Sequence, residues 1–511
     1  MAQYLLGFDV GTSGSKGVIV TLDGRVVATA SAEHGVDVPR PAWAEQDPEA
    51  VYWGDFKKIV KKMLADSRVN PQEIAGIGVS GLTPDMAPVD REGKAVRPCI
   101  IYMDRRATAE CDWAKEHLGE GKIFEVSGNA VDPYFAGYKM MWYARHEREN
   151  YERTWKMLNS HAYIIFKLTG EAVIDYGVAG LTAPLFDIKN LKWSEEMCAA
   201  CGIDMEKLPK PYPAHEVVGT VSDVAAKETG LAMGTPVIAG GGVDASCSAF
   251  SVGMIEPGTS ACMYGTTHCW QIALSEPKFD PRFINFPHVY PGAYVALAGL
   301  GTTGAIIRWF RDQFGQVEKE TEAKLGVSAY KILDMEAQQI PPGSDGLVLL
   351  PYFMGERTPI WDPYARGVFF GLSLYHTRAH LYRAIMEGIG YGLAHHAEVA
   401  RELGIMPERV VAVDGGASSP LFRQIVTDIM NVPQDYMAKV AGAPVADAFL
   451  AGVGVGIYKD FREIKKWITF TESNEPNPAA TAVYRKLYGV YRRLYEKTAD
   501  EMHFIARLEE K

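Results

Sequence analysis

Short apolar runs separated by glycine turns open the chain and predict three strands, Tyr4–Val10, Lys16–Leu22 and Arg25–Ala32. The last two are joined by Asp23-Gly24, a strong hairpin turn. The period then changes. Val51, Phe56, Ile59, Val60, Met63 and Leu64 recur at helical spacing behind Asp47-Pro48, which predicts a helix over Pro48–Ser67 with Asp47 as N-cap. Ile74–Ser80 is apolar enough for a short buried strand, and Pro236–Gly242 is a second one, ending in three glycines before a helix near Asp244. From Gly258 the opening pattern returns: Gly258–Tyr264, a Gly265-Thr266-Thr267 turn, then Cys269–Leu274. Beyond it come strands at Tyr294–Leu300, Gly346–Pro351 and Val410–Val413 and helices at Thr302–Phe314, Arg378–Leu403, Pro420–Met430 and Pro444–Tyr458. Gln316–Glu336, rich in Lys and Glu, reads as a solvated helical excursion, and residues 474–511 as a polar linker and an amphipathic helix. Strands followed by helices in two similar series predict an α/β fold of two related domains, 1–252 and 253–511.

Composition narrows the function classes. At 511 residues the chain is too long for one core. A net charge of −11 argues against nucleic acid or an anionic membrane as partner, since both require a basic face. No apolar run approaches the roughly 20 residues that span a bilayer, and no leader pattern precedes the first strand, so a cytoplasmic protein is expected. Seven scattered cysteines do not form a disulfide framework, and the lone Cys198-Ala199-Ala200-Cys201 lacks the partner ligands of a metal site.

The chemistry concentrates at the turns. Gly11-Thr12-Ser13 and Gly265-Thr266-Thr267 each combine a glycine, which lets the backbone approach an anion closely, with hydroxyl donors. Two such turns on two domains would suit one polyphosphate. Asp9 ends a buried strand beside the first turn. A carboxylate there either anchors Mg²⁺ through water or is a hydrogen-bonded turn residue. Asp244, after the glycines of the second buried strand, either accepts a hydroxyl proton or is an ordinary helix-N-terminal aspartate. Tyr102, Asp104 and Arg106 combine an aromatic face with charges suited to a polyhydroxylated ligand, against the alternative of a surface ion-pair cluster. Gly415, Gly416 and Ser419 follow a strand and open a helix, which allows a base or ribose to approach. Neither a dinucleotide fingerprint nor a P-loop occurs.

Taken in order, these pieces resemble the FGGY family of carbohydrate kinases, within the actin-like, ribonuclease-H-like ATPases. The most specific stretch is Gly367-Val368-Phe369-Phe370-Gly371-Leu372 with His380-Leu381-Tyr382-Arg383-Ala384-Ile385-Met386-Glu387. A second signature is met by Tyr134, Lys139, Met140 and Trp142, with Ala136 where Pro, Ser or Thr is usual, and Gly355-Glu356-Arg357-Thr358-Pro359 looks like xylulokinases. The resemblance implies two actin-like domains, each a mixed sheet with flanking helices, around a central cleft, and ATP-dependent phosphorylation of a sugar, a ketopentose first. It implies Asp244 as catalytic base and Asp9 on Mg²⁺. Gly11, Thr12, Ser13, Gly265, Thr266 and Thr267 would face phosphates, and Gly304, Arg308, Gly415, Gly416 and Ser419 the nucleotide. Tyr102, Asp104, Arg106 and Tyr134 would face the sugar. One departure stands out: Gly81-Leu82-Thr83-Pro84-Asp85-Met86 replaces the Gln-Met-His or Gln-Arg-Glu reader, so Thr83 and Asp85 become the candidate polar contacts. Expected partners are sugar and ATP, with a homodimer left open. Two rivals remain, a kinase for another ketose, alditol or aldonate, and a nucleotide-gated binding protein on the same fold.

Overall fold

The computed structural model describes residues 3–438 and 442–509. They fall into two compact units, Met1–Pro257 with Ala273–Ala296 and Ala441–Ile468, and Gly258–Ile272 with Leu297–Val440 and Thr469–Lys511. No helix among the described residues is long and apolar enough to cross a membrane.

The first unit is built on a seven-stranded mixed sheet. Its order is Val217–Thr220, Pro236–Ile238, Ile74–Gly81, Tyr4–Val10, Gly14–Thr21 and Val26–Glu33, with Gly242–Val243 also paired to the Ile74 strand. The N-terminal strands form an antiparallel meander, whereas Tyr4–Val10 and Ile74–Gly81 run parallel. Asp47 caps the next helical segment as predicted, accepting from Glu49 and Ala50 N–H; Pro48–Trp53 is wound as a π-helix before the α-helix Gly54–Ser67. That helix packs Phe56, Ile59 and Met63 against Phe8, Ile19 and Val79. Each such buried side chain contributes about 1.5–3 kcal/mol.

The boundary expected at residue 252 divides the chain differently from its packing. Helix Ala443–Gly454 belongs to the first unit, where Phe449 and Leu450 pack with Leu5, Val18, Val20 and Phe250. Two strand glycines make this possible. A Cβ at Gly7 would overlap the Pro444 carbonyl oxygen, and one at Gly78 the Asp447 carbonyl oxygen. Gly78→Ala is therefore expected to cost at least about 1–3 kcal/mol, because the obstructing atoms are backbone and cannot rotate away. Urea unfolding checks this, and an unchanged midpoint would contradict it.

The second unit repeats the plan. Ser260–Tyr264 pairs antiparallel with His268–Ile272 and parallel with Val410–Val413, which is followed by Gln434–Tyr436 (parallel) and Glu472–Asn474 (antiparallel). The polar tail is structural: helix Pro478–Glu509 buries Tyr484, Tyr491 and Met502 against Val348, Leu350 and Tyr391. Within the run from His380 to Glu387, Arg383 and Glu387 are structural as well. Arg383 donates to Glu387 (2.8 Å), and Glu387 also accepts from Gly343 N, Ser344 Oγ and Tyr484 Oη.

Candidate active site

Register decides what meets in the first unit. The Ile74 strand lies between its partners, with Ser80 opposite Asp9 on one side and Gly242 on the other. The parallel strands thus bring Asp9 and, one residue past Val243, Asp244 to the same carboxyl-terminal edge, where α/β sheets bind ligands. Asp9 Oδ1 accepts from Ser80 Oγ (2.9 Å), and Asp244 Oδ1 from Ala245 N (2.6 Å). Burial pushes Asp9 up to about 6, against the hydrogen bond from Ser80 and the pull of Lys16. Burial, and then the Asp9 charge, push Asp244 up to about 8. A carboxylate raised in this way is a stronger proton acceptor. Two crowded carboxylates also suit a hydrated divalent cation. Among the described residues no group of three or more His, Cys, Asp or Glu stands close enough together to hold a metal ion.

Beside them lies an aromatic corner. Thr12 Oγ1 donates to Tyr102 Oη (3.3 Å), and the Tyr102 and Tyr134 rings meet edge to face at 6.2 Å. Tyr134 Oη donates to the Thr83 carbonyl (3.5 Å), while Thr83 Oγ1 is buried with no hydrogen-bond partner. Lys139 braces this corner from behind, its ammonium donating to the Pro133 and Tyr134 carbonyls at 2.6 Å each; burial lowers it to about 8. Gly11 and Ser13 hold the first turn through backbone: Gly11 N donates to Gly14 O (3.1 Å), and Gly11 O and Ser13 O accept from His34.

Three residues assigned to the sugar turn inward instead. Asp85 is fully buried. Its Oδ2 accepts from Ser160 N (2.7 Å) and Cys99 Sγ (3.3 Å), and its Oδ1 from Asn159 Nδ2 (3.1 Å). Helix Ser160–Thr169 has no side-chain cap from its own N-cap Asn159, so Asp85 satisfies its first N–H from a distant loop. Asp104 accepts from Ala44 N (2.7 Å) and from Arg106, whose guanidinium lies over Trp43 (3.6 Å) and Trp142 (4.8 Å) and also pairs with Glu45. Neither a surface ion pair nor an exposed sugar reader, the Asp104–Arg106 pair is a buried clamp behind Tyr102.

The second unit contains a cavity of 810 Å³. Gly265 and Thr266 line it, with Gly304, Arg308, Gly415, Gly416 and Ser419; Thr267 is exposed on the turn beside it. The turns interlock: Thr303 N and Ala305 N donate to Thr266 O, Gly304 N to Gly265 O, each at 3.1 Å. A Cβ at Gly416 would press on the Tyr264 carbonyl (2.8 Å), which is why glycine stands there. Asp414, just before it, holds φ +73°, an unfavourable backbone for a residue with a Cβ. Sequence reasoning missed Tyr330, Lys331 and Asp334, which also line the cavity. They stand on helix Ala329–Ala337, inside the stretch read as a solvated excursion. Tyr382 Oη donates to Asp334 (3.3 Å), and burial raises that carboxylate. The available signal was Ala329, Leu333 and Ala337, a buried stripe at helical spacing that charge-rich flanks obscured.

Two family models match nearly the whole chain. The FGGY family of carbohydrate kinases, N-terminal domain, covers residues 4–251, and its C-terminal domain covers residues 260–454. Xylulose kinase of Escherichia coli (strain K12) is 31% identical over 497 residues, 96% of this chain and 98% of that protein. Gluconokinase of Bacillus subtilis (strain 168) is 29% identical over 498 residues, 96% and 95% respectively. The crystal structure of xylulose kinase from Rhodospirillum rubrum superposes with a TM-score of 0.89 at 31% identity, covering 98% of this chain and all of that one (100%).

Proposed function

Because the chain belongs to the FGGY family of carbohydrate kinases, enzymes that phosphorylate sugars with ATP, we propose that its acceptor is a neutral ketopentose such as xylulose. The observation that carries this choice is how the cations near Tyr102 and Tyr134 are spent. Arg105 is paired with both oxygens of Asp132 (2.6 and 2.9 Å), Arg106 with Asp104 and Glu45, and Lys139 with two carbonyls. An aldonate would need a cation for its carboxylate, and each of these three is already taken. Unpaired Thr83 Oγ1 and the tyrosine hydroxyls suit uncharged hydroxyl groups.

In this reading Asp244 takes the proton of the attacking hydroxyl as its oxygen bonds to the γ-phosphorus. The bond from that phosphorus to the β-bridging oxygen breaks, and ADP leaves. In the first unit Thr12 and Ser13 are assigned to phosphate oxygens, with Gly11 giving the backbone room to approach them; in the second unit Gly265, Thr266 and Thr267 are assigned to phosphate and Gly304, Arg308, Gly415, Gly416 and Ser419 to the nucleoside. Mg²⁺, held through Asp9, would neutralise phosphate charge when bound. Tyr102 and Tyr134 orient the sugar, with Thr83 replacing the usual reader.

A panel of pentuloses, hexuloses, alditols and aldonates, assayed with ATP and Mg²⁺ by coupled ADP release, tests the choice. Xylulose should give a kcat/KM at least about 10-fold above gluconate, the discrimination expected when a site leaves a charged group unpaired. A preference for gluconate would overturn it.

A further inference from the structure

The run Gly355-Glu356-Arg357-Thr358-Pro359 lies within the second unit, against the carboxyl-terminal end of strand Tyr294–Leu300. Thr358 Oγ1 accepts from Gly299 N (2.7 Å), and Glu356 Oε1 accepts from Gly301 N (2.7 Å), just past the strand. Thr302 Oγ1 donates to the Pro351 carbonyl (2.8 Å). The next residues reach the Gly265-Thr266-Thr267 turn. Thr303 N, Gly304 N and Ala305 N donate to the Gly265 and Thr266 carbonyls, and Thr303 Oγ1 donates to Gly265 O (3.1 Å). One short stretch, residues 301–305, therefore joins Glu356 to a turn that lines the 810 Å³ cavity. Glu356 itself is buried (5% exposed) and firmly held: its N–H donates to Asp362 O (2.8 Å), and its Oε1 also accepts from Arg357 N (2.8 Å). Its Oε2 is buried with no hydrogen-bond partner. A buried acceptor left unpaired costs free energy that a small apolar side chain would avoid, so the worth of this residue lies in Oε1. Burial pushes the carboxyl up to about 7, against the two N–H donors and the Arg357 charge. The bonds to Oε1 need an acceptor and not a charge, and an amide oxygen would serve as well.

We propose that Glu356 is a positioning residue for nucleotide binding: by holding Gly301 N it sets residues 303–305 against Gly265 and Thr266 and so fixes the turn that meets the phosphates. Its removal then weakens the nucleotide and leaves the sugar alone. This rests on the reading that the cavity of the second unit takes the nucleotide. The alternative is that Glu356 merely braces its own loop, in which case its loss lowers stability without reaching the Gly265 turn.

The test compares Glu356→Gln, Glu356→Asp and Glu356→Ala in the full chain. Calorimetric titration with ADP and steady-state kinetics give the affinities, and amide hydrogen exchange read by mass spectrometry follows the two turns. Glu356→Ala should weaken ADP binding and raise the KM for ATP by about 10-fold or more, the effect of losing an acceptor for two buried N–H groups. Its KM for sugar should stay within about twofold of the parent, a split that a general loss of structure would not produce. Exchange should quicken over residues 263–268 and 299–306. Glu356→Asp, whose acceptor is withdrawn by one methylene, should show the same pattern, whereas Glu356→Gln keeps an oxygen at that place and should stay within about threefold of the parent in every readout. Parental ADP affinity in a folded Glu356→Ala, unchanged exchange over 263–268, or a Glu356→Gln as impaired as Glu356→Ala overturns the proposal. If Glu356→Ala fails to fold, the contrast between Glu356→Asp and Glu356→Gln decides. If the parent binds no ADP, the assignment of the cavity to the nucleotide falls, while exchange over 263–268 still judges Glu356.

Discussion

Asp244→Asn is expected to lower sugar phosphorylation by about 10²–10⁴-fold, the contribution of a positioned general base. The amide keeps the shape of the carboxylate, including an oxygen that can accept from Ala245 N (2.6 Å), but it cannot take up a proton. Nucleotide affinity should stay close to that of the parent, because the 810 Å³ cavity is lined by residues between Tyr264 and Phe422, and Asp244 is not among them. Calorimetric titration with ADP together with steady-state kinetics separates the two effects. Turnover near that of the parent would remove Asp244 from the reaction. Loss of nucleotide binding in parallel would mean that the substitution damages more than proton transfer.

Arg106→Met is expected to destabilise the first unit by about 3–5 kcal/mol, the cost of leaving a buried carboxylate without its partner. The guanidinium side chain is 1% exposed and faces Asp104, itself fully buried, and Glu45. It is also stacked on Trp43 and Trp142. Methionine preserves much of the stem and its packing, so the loss reports mainly on the charge. The effect should appear as a lower urea midpoint and, in whatever still folds, a raised KM for sugar as the Tyr102 loop loosens. A stability within 1 kcal/mol or so of the parent would show that the clamp is energetically slack, as exposed pairs are.

Those two residues also mark what local sequence order places and what it does not. Asp244 was legible because local order fixes it: a buried strand, three glycines and a helix start put a carboxylate at a sheet edge. The hairpins around Gly11 and Gly265 were legible for the same reason. Asp104, Arg106 and Asp85 have the residue types of a sugar site, and nothing local distinguishes a ligand-facing carboxylate from one that bridges Ala44 N or caps the helix at Ser160. Those partners lie 60 and 75 positions away. The placement of Ala443–Gly454 with the first unit was equally hidden. Its only trace in sequence is Gly7 and Gly78 in the middle of strands, where glycine is otherwise unfavourable. Asp334 is hidden in sequence because its charge-rich surroundings read as solvated, although its helix turns that residue into the cavity lining.

The most direct measurement of the central claim is a ³¹P NMR time course of the protein with ATP, Mg²⁺ and D-xylulose. The account predicts that the γ-phosphate signal falls while ADP and one new phosphomonoester of the sugar rise in equal amounts, with little free phosphate. Conversion of ATP to ADP and inorganic phosphate alone, or no change with D-xylulose while another acceptor is phosphorylated, would contradict it.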